Sequence, residues 1–308
     1  EMGSVQAQGY SVYEETVEVP EEGKYEITVE YVQPKDNSRD LIIDVEVDGQ
    51  LPFPEAVGIT LPRIYRNEGD IRRDANGNEI APKQVMVLEP VEHTLMNTSG
   101  FYEGNYQFPL RKGENKIRIT CTNTEVDIRG ISVSVRREPP SYEEYLKSCP
   151  GEDTKGQCVI VQAEGARYKT TAMLYPTYDR NNAGTQGMDG SLNSPSKIRI
   201  NAAGGEMWKQ TGQWMDWEVE IEESGYYNLG FKYRQKYKDG LFTSRKVYID
   251  GEVPFEDMEG VRFLYDEEWQ TLTLADEAGE EYRIWLERGT HTIRMEVTMG
   301  VFAESLKN

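Results

Sequence analysis

The sequence is poor in the residues that most often carry out chemistry. Its 308 residues include three cysteines and only two histidines, His93 and His291. Two histidines argue against a histidine-based catalytic triad and against a metal site built on several imidazoles. It contains no phosphate-binding Gly-Lys-Ser loop, dinucleotide fingerprint or nucleophile elbow. We therefore expect a protein that is not an enzyme, although 54 acidic residues leave room for a carboxylate pair of the glycosidase type.

Positive charge and long apolar runs are also scarce. The chain has 34 Lys and Arg against 54 Asp and Glu, which gives a net charge of −20. Nucleic acids and anionic lipid surfaces attract clustered basic residues, so this balance argues against both as partners. No run of 18 apolar residues exists, and we expect no direct membrane insertion.

The cysteines are too few for a disulfide scaffold, and none has the Cys-x-x-Cys spacing of a zinc site. Cys149 and Cys158 flank a polar loop that a disulfide could close, whereas Cys121 lies in a strand pattern. A bridge and two free thiols both remain open, so the cysteines do not define the redox compartment.

Alternation of apolar and polar residues dominates the chain, and helical periodicity is rare. The pattern is clearest over 25–31, 117–121, 227–233 and 293–297. Turn signals such as Asp48-Gly49 and Asp250-Gly251 separate these runs. One polar and one apolar face per strand is typical of antiparallel sandwiches, so the sequence predicts an all-β fold.

An internal repeat divides the chain into two copies. The strand at Val17–Val19 matches that at Val219–Ile221, and the turn segment 47–53 matches 249–255. The offset is 202 positions at both places (219 − 17 and 255 − 53), so the match extends over 37 positions without a gap. We interpret the copies as two domains of one kind.

The repeat predicts a boundary near the middle of the chain. We expect a first β-sandwich at 1–137, whose opening strands are either missing or supplied from elsewhere, a linker at 138–157, and a second β-sandwich at 158–308. Ser141 and Glu144 have the spacing of a capping box, so a short helical turn is expected in the linker. Its aromatic residues favour a docked linker over a flexible tether. The start at Glu1 suggests a piece of a longer protein.

The second copy contains four motifs in order: Val161-Gln162-Ala163-Glu164, Gly212-Gln213-Trp214-Met215-Asp216-Trp217, Ser224-Gly225-Tyr226-Tyr227 and Tyr248-Ile249-Asp250-Gly251. This series of motifs resembles family 6 and family 35 carbohydrate-binding modules. The likeness covers about 159–300, and 10–136 only through the repeat. It implies two tandem galactose-binding-like jelly-roll β-sandwich domains joined by a short linker.

The segments 174–180, 234–235, 244–245 and 248–255 also resemble the N-terminal region of large extracellular solute-binding lipoproteins of bacterial carbohydrate ABC transporters. This resemblance implies a bacterial cell-surface location, a lipid anchor in the full-length protein, and solute-binding lobes downstream in the same parent chain. The implied function is non-catalytic binding of an oligosaccharide or polysaccharide. The alternatives are structural or protein-interaction sandwiches without sugar affinity, and a catalytic sandwich.

Sugar sites combine aromatic platforms with charged or amide groups that bind hydroxyls, and in sandwiches such groups lie on loops. Three predicted loops of the second copy offer this combination. The candidates are Tyr175, Tyr178, Asp179 and Arg180 on the first, Trp208 on the second, and Tyr237, Lys238, Phe242 and Arg245 on the third. The alternative is that these aromatic side chains pack beneath the loops or dock the first domain. The first copy has Val12 and Glu15 where the second has Trp214 and Trp217, so we expect it to bind weakly or not at all.

No cofactor is required, but the resemblance implies a possible structural calcium. Its ligands would be Gln162 and Glu164 on an opening strand, where an i, i+2 spacing places both on one face. The acidic residue expected near the last strand is missing. A second acidic segment, 74–79, lacks the ligand spacing of an EF-hand, and we interpret it as a β-turn.

Overall fold

The computed structural model describes residues 11–35, 39–98, 104–151, 157–182, 196–237 and 239–300. The chain divides into two compact units. Unit 1 comprises Glu1–Ile64 and Met86–Arg137, and unit 2 comprises Tyr65–Val85 and Glu138–Asn308. Within the described ranges, no helix has both the length and the apolar character needed to cross a bilayer.

Almost all regular structure is strand, which confirms the predicted all-β fold class. Unit 1 contains β1 (Ser11–Val19), β2 (Gly23–Val32), β3 (Leu41–Val47), β4 (Ile59–Leu61), β9 (Val91–Thr94), β10 (Phe108–Leu110), β11 (Gly113–Cys121) and β12 (Asp127–Ser134). Unit 2 contains β5 (Tyr65–Asn67), β6 (Arg72–Arg73), β7 (Glu79–Ile80), β8 (Gln84–Met86), β13 (Tyr168–Lys169), β14 (Trp214–Ile221), β15 (Gly225–Tyr227), β16 (Gly230–Tyr233), β17 (Phe242–Ile249), β18 (Val261–Leu264), β19 (Gln270–Thr273), β20 (Ile284–Leu286) and β21 (Gly289–Thr298).

Unit 1 is a sandwich of two antiparallel layers. One layer has the order β1-β11-β3-β4, and the other has β10-β2-β12 with β9 paired to β2. Alternate residues of β2, from Tyr25 to Tyr31, are buried, and so are alternate residues of β11, from Asn115 to Cys121. These rows belong to one continuous apolar core. The period-2 pattern therefore defines the inward face of each layer.

Unit 2 is built on a larger sheet with the order β18-β17-β21-β14-β13-β5-β8. Two short pairs, β15-β20 and β16-β19, add further core residues, among them Ile284 and Leu286. The start of β14 departs from simple alternation, because Trp214, Met215, Asp216 and Trp217 are all buried. Both faces of the sheet are therefore covered at this point.

The segment Tyr65–Val85, hereafter the excursion, differs from the predicted division. Its sequence lies within the first copy, but it groups with unit 2. Lys169 of β13 pairs with Tyr65 of β5, so the excursion extends the large sheet. Its hairpin β6-β7 continues the contact, since the amide of Glu79 donates to the Ile198 carbonyl over 3.0 Å.

The predicted helical turn is helix α1 (Tyr142–Ser148). Ser141 and Glu144 form the expected capping box, in which each side chain accepts from the other residue's backbone N–H. Tyr142 packs against Phe255 and Tyr282, with ring centroids 4.8 Å apart in both pairs. The helix is thus docked on the core of unit 2 rather than tethered.

The two Asp-Gly turns have the same geometry. Asp48 and Asp250 both adopt a left-handed backbone, with φ of 51° and 52°. In each turn the carboxylate accepts from a strand amide, that of Lys116 over 3.0 Å in unit 1 and that of Thr292 over 2.8 Å in unit 2. The gapless repeat therefore corresponds to equivalent turns.

A second pair of turns follows the same offset of 202 (276 − 74). Asp74 accepts from the amides of residues 76 and 78 through Oδ1, and Asp276 accepts from those of 278 and 280 in the same way. Gly77 and Gly279 close the turns with positive φ. The prediction of a β-turn at 74–79 is confirmed.

Two local features differ from the sequence analysis. The expected opening strand around Gln162 is absent, and a one-turn 3-10 helix, Ala163–Gly165, stands in its place. Cys149 and Cys158 are both free, as is the buried Cys121.

Candidate functional site

Two of the predicted loops of unit 2 are joined by an ion pair. The Arg234 guanidinium contacts the Asp179 carboxylate, and only 7% and 19% of these side chains are exposed. The Asp179 backbone is fixed as well, because its amide donates to Asn201 Oδ1 over 2.8 Å. Arg234 also lies over the Trp269 ring, 5.7 Å from its centroid. A shielded and neutralised ion pair therefore holds both loops in place.

Aromatic residues near this pair in the sequence reach the surface. Tyr175 is 44% exposed and Tyr237 is 52% exposed. Tyr178 is half-buried, and Arg180 is exposed. We call Tyr175, Tyr178, Arg180 and Tyr237 the two-loop surface. Lys238, which was predicted to contribute, lies outside the described residues.

The sequence analysis did not single out Arg234 and Trp269 as site residues. Lys232 also approaches the Trp269 ring, with Nζ 6.0 Å from the centroid. Trp269 Nε1 is buried and has no acceptor among the described residues. The only sequence signal was the Arg234-Gln235 pair within the second resemblance, and it did not reveal the partner at Asp179.

Trp208 and Arg245 form a separate cluster. The Arg245 guanidinium lies 4.4 Å from the centroid of the Trp208 ring and donates to the Trp208 carbonyl over 2.9 Å. The ring also packs against Trp217, with centroids 6.5 Å apart. Burial lowers the pKa of Arg245 to about 10. The predicted platform is thus largely engaged in packing within the unit.

The prediction that Phe242 and Arg245 lie on a loop is wrong. Phe242 is the first residue of β17, and Arg245 pairs with Val297 of β21 and Val261 of β18 inside the large sheet. Arg245 is 9% exposed. The strand was not predicted because the polar run Thr243–Lys246 does not alternate between apolar and polar residues. Arg245 is buried against Trp208, which is distant in sequence.

The structure does not place the proposed calcium ligands, Gln162 and Glu164, on a strand. Glu164 lies in the 3-10 turn that replaces the expected strand, so the i, i+2 argument for one shared face with Gln162 fails. Glu164 is 2% exposed, and no hydrogen-bond partner of its Oε1 lies within the described ranges. Burial raises its pKa to about 7. The described residues contain no group of three His, Cys, Asp or Glu side chains suited to a metal ion.

Similarity to known proteins does not identify a function for this site. No protein-family model and no curated protein matches the sequence. One solved structure aligned with the chain is that of a Paenibacillus sp. cycloisomaltooligosaccharide glucanotransferase complexed with cycloisomaltoheptaose. The identity is 11% and the TM-score is 0.25, over 94% of this chain and 41% of that enzyme. A similarity this low supports no inference about function.

Proposed function

We propose that unit 2 binds an oligosaccharide or polysaccharide without catalysis. The proposal extends to the context that the sequence resemblance implies. In that context, the chain belongs to an extracellular solute-binding protein of a carbohydrate ABC transport system. Such a protein is lipid-anchored at the bacterial cell surface and carries its solute-binding lobes downstream.

The observation that carries the proposal is the Asp179–Arg234 ion pair. It joins the loop that bears Tyr178 to the loop that bears Tyr237, and it is shielded from solvent. A fixed spacing between exposed rings lowers the entropy lost on binding, which matters for ligands that make few contacts. The Arg180 guanidinium supplies hydrogen-bond donors for hydroxyl groups beside the rings.

The chemistry of this surface suits a sugar. Pyranose rings present C–H faces that pack on aromatic side chains, while their hydroxyl edges need polar partners. The exposed residues Tyr175, Arg180 and Tyr237 are spread over two loops, so the two-loop surface suits an extended chain better than a small ligand. We expect weak binding, with a dissociation constant on the order of 1 mM, or about −4 kcal/mol.

A structural spacer is the second candidate, and one observation favours it. Three of the predicted binding groups are already engaged: Asp179 with Arg234, and Trp208 with Arg245. A sandwich that had lost its ligand could keep such packing unchanged. The proposal needs no cofactor. A calcium ion held by Gln162 and Glu164 stays a prediction, and an unchanged melting temperature after chelation would contradict it.

Calorimetric titration against a panel of plant and host oligosaccharides tests the proposal. Tyr178→Ala and Tyr237→Ala should each weaken binding by at least tenfold, because one stacked ring contributes roughly 1–3 kcal/mol by analogy with base stacking. Leu51→Ala is the matched control, since Leu51 is equally exposed but lies in unit 1. A protein that binds nothing in the panel would support the spacer. If both variants bind as tightly as the unmutated protein, the binding site lies elsewhere.

A further inference from the structure

Unit 2 contains a pocket whose lining shares no residue with the two-loop surface. Its volume is about 280 Å³, and one wall comes from the excursion while the other comes from residues 165–168. The lining residues are Arg66, Asn67, Gly69, Asp70, Ile71, Pro82, Gly165, Ala166, Arg167 and Tyr168. The excursion and the facing segment are about 100 positions apart, so neither sequence copy could form this pocket alone.

Buried partners hold the excursion wall in place. Asn67 Oδ1 accepts from Lys169 Nζ over 2.8 Å and from Gln84 Nε2 over 2.9 Å, and Asn67 Nδ2 donates to the Glu164 carbonyl over 3.3 Å. Lys169 is fully buried. Every polar atom of the Asn67 amide is thus bonded behind the pocket surface, which makes this wall rigid.

The opposite wall is anchored just as firmly. Arg167 donates to Asp216 Oδ2 over 2.9 Å and to Glu218 Oε1 over 3.0 Å, and its guanidinium lies 4.6 Å from the centroid of the Tyr168 ring. Asp216 is fully buried, and its Oδ1 also accepts from the Tyr168 amide over 3.0 Å. The ring of Tyr168 is therefore presented at a fixed position.

Charge defines the class of ligand. The positive charge of Arg167 is matched by Asp216 and Glu218, and Asp70 lies in the same lining as Arg66. The chain as a whole carries a net charge of −20. The pocket therefore lacks the excess of positive charge that an anionic ligand requires, while it offers donors, a carboxylate acceptor and an aromatic face.

We propose that this pocket is a second binding site of unit 2, which takes a single neutral sugar residue or a similar small polyol. Hydroxyl groups can both donate to Asp70 and accept from Arg66, whereas a carboxylate or phosphate would face Asp70. The volume admits one ring rather than a chain. The site does not depend on the two-loop surface, and its ligand would be recognised even if that surface bound nothing.

Saturation-transfer NMR of the full chain with D-glucose, D-galactose, D-xylose, myo-inositol and D-glucuronate tests this inference. At least one neutral compound should bind in the millimolar range. Asp70→Ala and Arg66→Gln should each weaken that binding by about tenfold or more, since each removes a charged hydrogen-bonding group. Asp70 is exposed, so Asp70→Ala should leave the melting temperature unchanged, while Arg66→Gln keeps a hydrogen-bonding amide at an exposed position and should lower it only slightly.

Tyr178→Ala and Tyr237→Ala serve as controls for the other surface and should leave binding of the monosaccharide unchanged. Three results would overturn the inference: no binding of any neutral compound, full binding by both pocket variants, or binding of glucuronate tenfold tighter than glucose. If Tyr178→Ala and Tyr237→Ala lose affinity for oligosaccharides but still bind the monosaccharide, that result concerns the proposed function of the two-loop surface and not this pocket.

Discussion

Lys169 Nζ donates to Asn67 Oδ1 across 2.8 Å, although 102 positions separate the two residues. The Lys169 side chain is completely buried, and burial lowers its pKa to about 8. The ammonium group is still charged at neutral pH, and Asn67 is the acceptor that the structure provides for it. Asn67, a residue of the first sequence copy, therefore supplies the hydrogen-bond acceptor for a buried ammonium group in the sheet of the second copy.

Replacing this acceptor should destabilise unit 2. Asn67→Leu leaves the Lys169 ammonium without its acceptor, and we expect a loss of about 3 kcal/mol in the free energy of unfolding at pH 7. Urea denaturation followed by tryptophan fluorescence measures the change. Asn76→Ala is the control, because Asn76 is exposed in the same segment, and it should cost less than about 0.5 kcal/mol.

A double-mutant cycle tests whether the charge is the cause. Lys169→Met removes the ammonium while keeping most of the volume, so Asn67→Leu should cost much less in that background. Additive losses in the double variant would show that Asn67 stabilises the excursion by other contacts.

Glu164 should make stability depend on pH between about 4.5 and 7. Its folded-state pKa is raised to about 7 by burial, so the unfolded state releases this proton at lower pH than the folded state. Stability is fully retained below the unfolded pKa of about 4.5 and falls as the pH rises towards 7, by about 3 kcal/mol at most. Glu164→Gln should remove this component from urea unfolding measured across the range.

Glu206→Gln provides the comparison, since Glu206 is an exposed acid of the same unit. Its stability profile should follow that of the unmutated protein. Identical slopes for Glu164→Gln and the unmutated protein would mean that the Glu164 carboxyl reaches water in solution.

Much of the fold could be predicted from residues whose partners are near in sequence or follow a simple period. The row from Tyr25 to Tyr31 alternates, and Asp48-Gly49 demands a left-handed turn, so both features were correctly anticipated. The excursion could not be predicted, because its strands are two or three residues long and β5 joins the large sheet through β13, about 100 positions away. Arg245 was misplaced for the same reason, as its packing partner Trp208 is distant in sequence.

Trp208→Ala should lower the free energy of unfolding, so this variant is a poor test of ligand binding. The ring is half-buried, packs on the core and is covered by the Arg245 guanidinium at 4.4 Å. Losing these contacts should cost about 2–3 kcal/mol in the free energy of unfolding. Tyr237→Ala, on the exposed loop, should cost less than about 0.5 kcal/mol. Equal melting temperatures for the two variants would contradict the packing role assigned to Trp208.

His291 should remain protonated to higher pH than an ordinary histidine. Burial lowers its pKa, but a 2.6 Å contact with Asp250 Oδ2 and a 2.7 Å contact with the Glu287 carbonyl outweigh burial, so the net shift is upward. Both acceptors are satisfied at once only when both ring nitrogens carry a proton. The charged form therefore contributes stability that is complete below the unfolded pKa of about 6.5 and is lost as the pH rises through the raised folded value.

Two-dimensional NMR of the imidazole resonances measures this shift directly, with His93 of unit 1 as an internal reference. Asp250→Asn should lower the pKa of His291 and leave that of His93 unchanged, because it removes the negative charge but keeps an oxygen that can accept from the Thr292 amide. The matched change in unit 1, Asp48→Asn, weakens the ion pair with Arg111 instead, and it should move neither histidine. A His291 pKa that is insensitive to Asp250→Asn would show that the Glu287 carbonyl, not the turn carboxylate, holds the proton.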